Sequence, residues 1–244
     1  MADLTASTYP VRVAAGPLDA AIDVPGSKSI ANRALVCAAL AAGTTTLRNV
    51  PGGDDTVAML ECIEQLGAGA ARSDDDPTCV TVHGTAGALR PGPITLDAQL
   101  AGTTSRFVTA LCALGHGTYV VDGRPPLRAR PMGPLHTALA ELGAGVNPAE
   151  GFGHLPVTIG GIRPSADATG RQRTIRMRGD ISSQFITAVM LIAPYLPGGV
   201  RIELTTPLVS RPYVAITAAV MAAFGVGGVV IGEDHVDVPT GRYA

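Results

Sequence analysis

The chain has 244 residues, of which 46% are hydrophobic and 16% charged, so it can build a sizeable apolar core and does not resemble a disordered chain. Its net charge of −2 argues against a general nucleic-acid binder, and its longest apolar run is too short to span a bilayer. The four cysteines and five histidines lack metal-ligand spacing, and the N-terminus lacks a signal-peptide pattern. We expect a cytoplasmic monomer without a metal, membrane or nucleic-acid partner.

In chain order, the first patterned segment is residues 11–24, which look like one or two strands. Three similar stretches follow, and each begins with an apolar helical pattern: RALVCAALAAG, SRFVTALCALG and SQFITAVMLIA. Each pattern leads into a strand, a second helix ending on glycine, and a short alternating strand: CVTVHG, LPVTIGG and HVDVPTG. The three glycines, Gly67, Gly143 and Gly225, suit the position just after a helix and are 76 and 82 residues apart.

The apolar helical runs ALVCAALAA, FVTALCAL and FITAVMLIA have almost no polar face, whereas the strands alternate polar and apolar residues. This contrast predicts an inside-out α/β fold, with helices inside and sheets outside. We expect three copies of the repeat, packed about a pseudo-threefold axis. The alternative is an ordinary α/β sandwich in which these three helices are the most buried ones.

Small hydroxylated residues precede the first helix of every repeat, in PGSKS (25–29), AGTTS (101–105) and GDISS (179–183). The free N–H groups and the dipole of a helix N-terminus suit an anion, and serine and threonine add hydroxyl donors. Simple N-capping favours the same residues, so one such turn does not indicate a site. Three turns at equivalent positions of a repeat could meet, and together they favour an anion site.

Cations accompany these turns. Lys28 is the single lysine among the 18 lysine and arginine residues, and it shares the first turn with Arg33. Arg106 follows the second turn, while Arg130 and Arg211 each precede a proline that suits the first position of a helix. Guanidinium groups suit carboxylate or phosphate, although a single arginine more often forms a surface ion pair.

Five segments resemble, in order, motifs of the 5-enolpyruvylshikimate-3-phosphate synthase family: PGSKSIANRALVCAAL, LAGTTSRF, DGRPPLRARPMGPL, GDISSQFITAVML and LVSRPYVAIT. They extend over nearly the whole chain, so the resemblance is specific. It implies an enolpyruvyl transferase fold of two lobes, each built from three βαβαββ units with helices inside. Residues 25–239 would form one complete lobe, residues 1–24 would belong to the other, mostly absent lobe, and residues 240–244 would begin the crossing back.

The resemblance also implies a set of site residues. The expected substrate-binding residues are Lys28, Ser29, Arg33, Gly102, Arg130, Ser182, Ser183, Gln184, Ser210 and Tyr213, with Arg106 as a further candidate. Lys28 would be catalytic and would reach both substrates. The last three serines of the set would hold the phosphate of 3-phosphoshikimate, and Tyr213 would line the same side. Gly102 and Arg130 would bind phosphoenolpyruvate, and Gln184 would lie between the substrates.

The implied reaction transfers the enolpyruvyl group of phosphoenolpyruvate to the 5-hydroxyl of 3-phosphoshikimate and releases phosphate, in the route to chorismate and the aromatic amino acids. It uses no metal or organic cofactor. The family's catalytic carboxylates belong to the absent lobe, and we predict that Asp54 or Asp55 caps a helix instead. Leu100 stands where many relatives have asparagine, which removes a polar contact to phosphoenolpyruvate. The chain alone is therefore expected to bind substrate without turnover.

Two alternatives stay open from the sequence. The sister enolpyruvyl transferase that acts on UDP-N-acetylglucosamine has asparagine after the lysine and a reactive cysteine in a later loop. In this chain Ser29 follows Lys28, and residues 124–130 contain no cysteine. The second alternative is a lobe that binds a phosphate ligand and has no catalysis of its own.

Overall fold

The computed structural model describes residues 10–163 and 170–244, which form three consecutive units. The first unit consists of α1 (Lys28–Leu40), β1 (Thr44–Leu47), α2 (Asp54–Gln65), β2 (Gly69–Arg72) and β3 (Val80–His83). The second consists of β4 (Ile94–Asp97), α3 (Gly102–Cys112), β5 (Thr118–Asp122), α4 (Pro125–Arg128), α5 (Gly133–Glu141), β6 (Gly145–Pro148) and β7 (Val157–Gly160). The third consists of β8 (Arg173–Met177), α6 (Ser183–Ile192), a 3₁₀ turn (Ala193–Tyr195), β9 (Val200–Leu204), α7 (Arg211–Ala223), β10 (Val230–Ile231) and β11 (His235–Val238).

The second and third units have the same sheet topology. Their strand orders are β4-β5-β7-β6 and β8-β9-β11-β10, and in each sheet the first pair is parallel while the other pairs are antiparallel. A parallel pair joined through a helix is the usual βαβ crossover. The first unit repeats this order without its leading strand, as β1-β3-β2. The predicted repeat is therefore confirmed as a repeat of topology, while the pseudo-threefold axis stays a prediction.

The strands predicted within residues 11–24 are not formed within this chain, and their place in the other lobe stays a prediction. Residues 10–27 contain neither helix nor strand. Their large apolar side chains, such as Val13 and Leu18, are 94% and 84% exposed. A strand is stabilised by a hydrogen-bonded neighbour and by a buried face, and this segment has neither in the described part of the chain.

The first helix of each unit lies in the interior, as predicted. In α1 every residue from Ala31 to Leu40 is buried, and α3 and α6 are buried along nearly their whole length. The strands alternate instead: in β3 Val80 and Val82 are buried, while His83 is exposed. Helices inside and sheets outside put apolar residues of all three units into one continuous core, which rules out the ordinary sandwich.

The second helix of each unit ends in the same way. The φ angles of the glycines that follow these helices are positive: +107° at Gly67, +91° at Gly143 and +85° at Gly225. Residues with a Cβ rarely adopt this backbone conformation. Each glycine donates its N–H to a carbonyl three residues back, and the next residue donates to a carbonyl five residues back. This pair of bonds is the Schellman motif, so the predicted helix-ending glycines are confirmed at all three positions.

Residues 240–244 pack against the lobe. The Tyr243 side chain is 1% exposed, and its hydroxyl donates to the carbonyl of Leu191 at 2.9 Å. The backbone of this segment also bonds the ends of two other helices, through Ala42 N–H to Tyr243 O and Ala244 N–H to Phe224 O. The last residues therefore tie the C-terminal ends of α1, α6 and α7 together.

Candidate functional site

Seven of the predicted site residues line a single cleft, which we call the serine cleft. It has a volume of about 270 Å³ and is lined by Ser29, Arg33, Thr103, Ile181, Ser182, Ser183, Gln184, Ser210 and Tyr213. These residues come from the first two turns of α1, from the first turns of α3, α6 and α7, and from the turns just before α6 and α7. Four helix N-termini therefore meet at one place, which favours a bound anion. No acidic residue lines the cleft.

The hydroxyl groups of the serine cleft are mostly not used for capping. Ser182 is the exception, because its Oγ accepts a hydrogen bond from the N–H of Gln184 at 3.3 Å. Ser210 precedes α7 without a side-chain cap, and neither Ser29 nor Ser183 makes a side-chain hydrogen bond within the described residues. The simple capping interpretation thus accounts for one serine of the four, and three hydroxyls stay available to a ligand.

Arg33 forms the floor of the serine cleft and is 2% exposed. Its guanidinium donates to Ser29 O at 2.6 Å, to Thr217 Oγ1 at 2.8 Å and to Thr187 Oγ1 at 3.2 Å. Burial lowers the pKa of Arg33 to about 10, so it stays cationic near neutral pH. No carboxylate in the described residues pairs with it. A buried cation without a counter-ion raises the affinity of the cleft for an anion.

A second cluster, the arginine rim, consists of Gly102, Arg106 and Arg130 beside the N-terminus of α3. A Cβ at Gly102 would lie 2.7 Å from Nη1 of Arg130 and 3.5 Å from Nη1 of Arg106, so both guanidinium groups approach the glycine closely. Burial lowers the pKa of Arg106, and the charge of Arg130 lowers it further. Within residues 10–163 and 170–244 neither arginine pairs with a carboxylate, so this rim also presents uncompensated positive charge.

Two predicted arginine positions have different outcomes. Arg130 does not begin a helix, because Met132 precedes α5 and Pro134 lies in its first turn. Arg211 begins α7 as predicted, but its guanidinium donates to the carbonyls of Ile231 and Gly232. Arg211 therefore holds β10 against α7 and lies outside both clusters.

Lys28 does not line the serine cleft. Its Nζ lies 3.0 Å from Oδ2 of Asp55, and its side chain is 52% exposed. Asp55 lies in the first turn of α2, whose N-cap is Gly53, so neither Asp54 nor Asp55 is the predicted cap. The pair borders a second cleft of about 350 Å³ that is lined by Asp54, Asp55, Gln99, Leu100, Ala101 and Arg124. Leu100 is 47% exposed there and offers no hydrogen bond.

Several residues that build the site were not identified from the sequence. Thr187 and Thr217 bond the Arg33 guanidinium across 154 and 184 residues of chain. Asp55 holds Lys28, and Phe185 lies under the Arg106 guanidinium with 4.9 Å between its ring centroid and the guanidinium carbon. The one signal for the threonines was their polarity within otherwise apolar helices.

Within the described residues, no group of three or more histidine, cysteine, aspartate and glutamate side chains could hold a metal ion. Among the helices of residues 10–163 and 170–244, none combines the length and apolarity needed to cross a bilayer. All four cysteines are free thiols, and none lines the serine cleft.

Comparisons with known proteins agree with the motifs. The family model described as EPSP synthase (3-phosphoshikimate 1-carboxyvinyltransferase) matches residues 13–238. A protein of Shewanella denitrificans named 3-phosphoshikimate 1-carboxyvinyltransferase is 44% identical over 211 residues, which are 86% of this chain and 47% of that protein. A protein of the same name from Paraburkholderia phymatum is 40% identical and is covered over 50% of its length. The chain thus spans about half the length of the curated relatives it matches.

Solved structures agree on the fold. EPSP synthase from Acinetobacter baumannii superposes with a TM-score of 0.76 at 23% identity, over 91% of this chain and 47% of that one. A second structure of EPSP synthase from the same organism gives 0.76 at 24% identity, over 91% and 48%. The superposition supports the inside-out architecture, and the family model extends over most of the sequence. This chain therefore belongs to the EPSP synthase family.

Proposed function

We propose that this chain is the 3-phosphoshikimate-binding lobe of a 3-phosphoshikimate 1-carboxyvinyltransferase. The observation that carries the proposal is the serine cleft, in which four helix N-termini, unused hydroxyls and a buried cation meet without any acidic residue. A phosphate dianion satisfies all of these groups at once, because it has several acceptor oxygens and a negative charge.

In this proposal the serine cleft holds the shikimate half of the site. The hydroxyls of Ser182, Ser183 and Ser210 donate to the phosphate oxygens, and the N-terminus of α6 adds its dipole. Tyr213 is 47% exposed and its ring lies 5.9 Å from the guanidinium carbon of Arg33, a position suited to packing along a sugar-like ring. Ser29 and Arg33 complete the contacts of 3-phosphoshikimate from α1.

The arginine rim and Lys28 serve phosphoenolpyruvate in the same proposal. Gly102 lets the anion approach the N-terminus of α3, and Arg130 supplies a guanidinium for its phosphate or carboxylate. The ion pair between Lys28 and Asp55 does not prevent Lys28 from binding the two substrates. An exposed pair of this kind contributes about 0–1 kcal/mol, so it can be broken or kept when the substrates bind.

In the reaction the 5-hydroxyl of 3-phosphoshikimate gives up its proton and its oxygen bonds to C2 of phosphoenolpyruvate, while C3 accepts a proton and the double bond between C2 and C3 becomes single. Loss of a C3 proton and of phosphate then restores the double bond. The residues of this lobe contribute positioning and electrostatic stabilisation of the two anions. No carboxylate lines the serine cleft, and Asp55 of the neighbouring cleft pairs with Lys28, so we assign the proton transfers to the half of the relatives that this chain does not span.

A second candidate function has one supporting observation. The absence of any acid or base among the residues that line the serine cleft fits a lobe that binds a phosphate ligand without catalysing its reaction. For the isolated chain this candidate and the first proposal coincide, because we propose substrate binding without turnover. We further propose a cytoplasmic location, to which four free thiols are suited, and a single copy per functional unit.

Calorimetric titration of the chain with 3-phosphoshikimate, followed by a phosphate-release assay with phosphoenolpyruvate added, tests both parts of the proposal. The expected result is saturable binding at millimolar ligand or below and no phosphate release above the blank. Absence of binding at millimolar ligand contradicts the assignment of the serine cleft. Robust phosphate release contradicts the assignment of proton transfer to the other half.

A further inference from the structure

Arg106 contacts Gln184 across the boundary between the arginine rim and the serine cleft. Nη1 of Arg106 donates to Oε1 of Gln184, and Nη2 donates to the carbonyl of Pro131 at 3.4 Å. The guanidinium carbon lies 4.9 Å from the ring centroid of Phe185, and Nε is buried without a partner in the described residues. The ring, the carbonyl and the amide together hold this arginine in one orientation. Its side chain therefore loses less conformational entropy when a ligand binds.

The contact determines which atom of the Gln184 amide is left for a ligand. Every polar atom of a guanidinium is a donor, so the amide atom that faces Arg106 has to be the oxygen. Gln184 lines the serine cleft, and its Nε2 makes no hydrogen bond within the described residues. Both N–H donors of that nitrogen therefore remain for a ligand, while Arg106 occupies one of the two lone pairs of the amide oxygen.

We propose that Arg106 is a positioning residue that fixes the Gln184 amide with Nε2 available to the ligand. The cleft then presents two N–H donors at this point, while the amide oxygen faces the arginine. Such a donor pair favours an anionic oxygen, because a charged acceptor forms stronger hydrogen bonds than a neutral hydroxyl. The nearby positive charge also polarises the amide and strengthens its N–H donors. This inference rests on the proposed function, because it assigns the ligand-facing atom within that site.

A direct role for Arg106 gives a different expectation. If the arginine itself bound the ligand phosphate, its loss and the loss of Gln184 would act independently. If it acts through Gln184, removing the glutamine amide leaves nothing further for the arginine to position. A double-mutant cycle separates the two cases, because it measures whether the effects of two substitutions add.

The experiment is calorimetric titration of the 244-residue chain and its variants with 3-phosphoshikimate and, separately, with shikimate, which lacks the phosphate. We expect Arg106→Gln and Gln184→Met each to weaken 3-phosphoshikimate binding about tenfold, and the double variant to weaken it by about the same factor. In each of these variants the ratio of the affinities for 3-phosphoshikimate and shikimate should fall together with the affinity for 3-phosphoshikimate. Arg106→Lys, which keeps one charged donor, should stay within about threefold of the unaltered chain.

Arg124→Gln is the matched control, since Arg124 is an exposed arginine of the neighbouring cleft and should leave both affinities unchanged. Losses that multiply to about a hundredfold in the double variant overturn the positioning role and make Arg106 a direct ligand. An unchanged preference between the two compounds in Arg106→Gln overturns it as well. If the unaltered chain binds neither compound, the proposed function fails together with this inference. If the chain binds 3-phosphoshikimate and the two losses add, only this inference fails.

Discussion

The serine cleft and the arginine rim are built from similar parts but differ in how completely the lobe forms them. The cleft is enclosed by four helix starts, and its cation, Arg33, is buried and bonded to three partners. The rim is open: Arg130 is exposed and makes no side-chain hydrogen bond within the described residues. Lys28 lies apart from both and bonds Asp55.

This difference predicts that the cleft and the rim bind their ligands with different requirements. A preformed cleft can bind its ligand without assistance, because its groups are already ordered. At the rim Arg106 is held by its neighbours, but the exposed Arg130 attracts an anion without holding it firmly, since solvent and salt screen its charge. We therefore expect the lobe to bind 3-phosphoshikimate by itself and to need the rest of the protein for phosphoenolpyruvate.

The largest expected effect concerns the unit that carries the rim. His136 on α5 is fully buried, its two ring nitrogens lack partners in the described residues, and it packs edge-on against Phe152. Burial lowers the pKa of His136 to about 4, below its ordinary value of 6.5. The unfolded chain therefore binds the proton more readily. Stability is complete above pH 6.5 and falls by up to about 3 kcal/mol as the pH drops towards 4.

Urea unfolding at several pH values measures this loss. His136→Leu should remove most of the decline between pH 6.5 and 4, because leucine cannot be protonated. His116→Gln is the control, since His116 is exposed and its replacement should leave the pH profile as it is. A profile in His136→Leu that matches the unaltered chain would contradict the role of His136.

The next effect tests the cleft itself. Ser183→Ala should weaken 3-phosphoshikimate binding about tenfold, because the hydroxyl that donates to the charged phosphate is lost. Stability should change little, since this hydroxyl makes no hydrogen bond within the described residues. Ser182→Ala should weaken binding similarly and also cost about 1 kcal/mol of stability, since Ser182 caps α6. Calorimetry and urea unfolding separate the two losses.

Ser27→Ala is the matched control for these serines. Ser27 precedes α1 without a side-chain cap and does not line the cleft, so its replacement should leave the affinity for 3-phosphoshikimate unchanged. If Ser27→Ala lost as much affinity as Ser182→Ala and Ser183→Ala, the serine hydroxyls of the cleft would not bind the phosphate directly.

A smaller effect is expected at the rim. Gly102→Ala places a Cβ 2.7 Å from Nη1 of Arg130, a flexible and exposed side chain that can move aside. The free energy of unfolding should change by less than about 0.5 kcal/mol, and 3-phosphoshikimate binding should not change. In a complete protein that carries this lobe, binding of phosphoenolpyruvate to the 3-phosphoshikimate complex should weaken by about tenfold, because the displaced guanidinium no longer faces the anion.

Gly133→Ala provides the comparison for that variant. Gly133 is also the first residue of a helix, but a Cβ there meets only Gly153 at an ordinary 3.7 Å. It should change neither affinity. A drop in 3-phosphoshikimate binding in Gly102→Ala would show that cleft and rim are one site rather than two halves.

Lys28→Arg should have the smallest effect on the lobe. Lys28 is half exposed and its ion pair with Asp55 is a surface pair, so the free energy of unfolding should change by less than about 0.5 kcal/mol. In a complete protein that carries this lobe we expect most turnover to be lost, because a broad guanidinium cannot replace a compact ammonium between two anions. Near-full turnover by that variant would make the single lysine unimportant.

The sequence was most informative where the repeat imposes a local pattern. Apolar helices without a polar face, alternating strands and the glycines after each second helix predicted the units, because each feature depends on neighbouring residues. The strands expected in residues 11–24 are not formed in this chain, since a strand also depends on a partner elsewhere. The serines of the cleft were predicted by family motifs and by the hydroxylated turns before the first helices.

Contacts across the lobe could not be predicted in the same way. The threonines that bond Arg33 lie on α6 and α7, and their role depends on how α1, α6 and α7 pack. The pairing of Lys28 with Asp55 depends on the approach of α2 to α1, and the contact between Arg106 and Gln184 joins two units. Such contacts are set by packing between distant segments, which a single sequence does not report.

A crystal structure of the chain grown with 3-phosphoshikimate tests the division between cleft and rim most directly. We predict the phosphate in the serine cleft, with its oxygens at about 2.5–2.9 Å from the hydroxyls of Ser182, Ser183 and Ser210. We expect no ligand at the arginine rim. A phosphate bound between Arg106 and Arg130, with the serine cleft empty, would contradict this prediction.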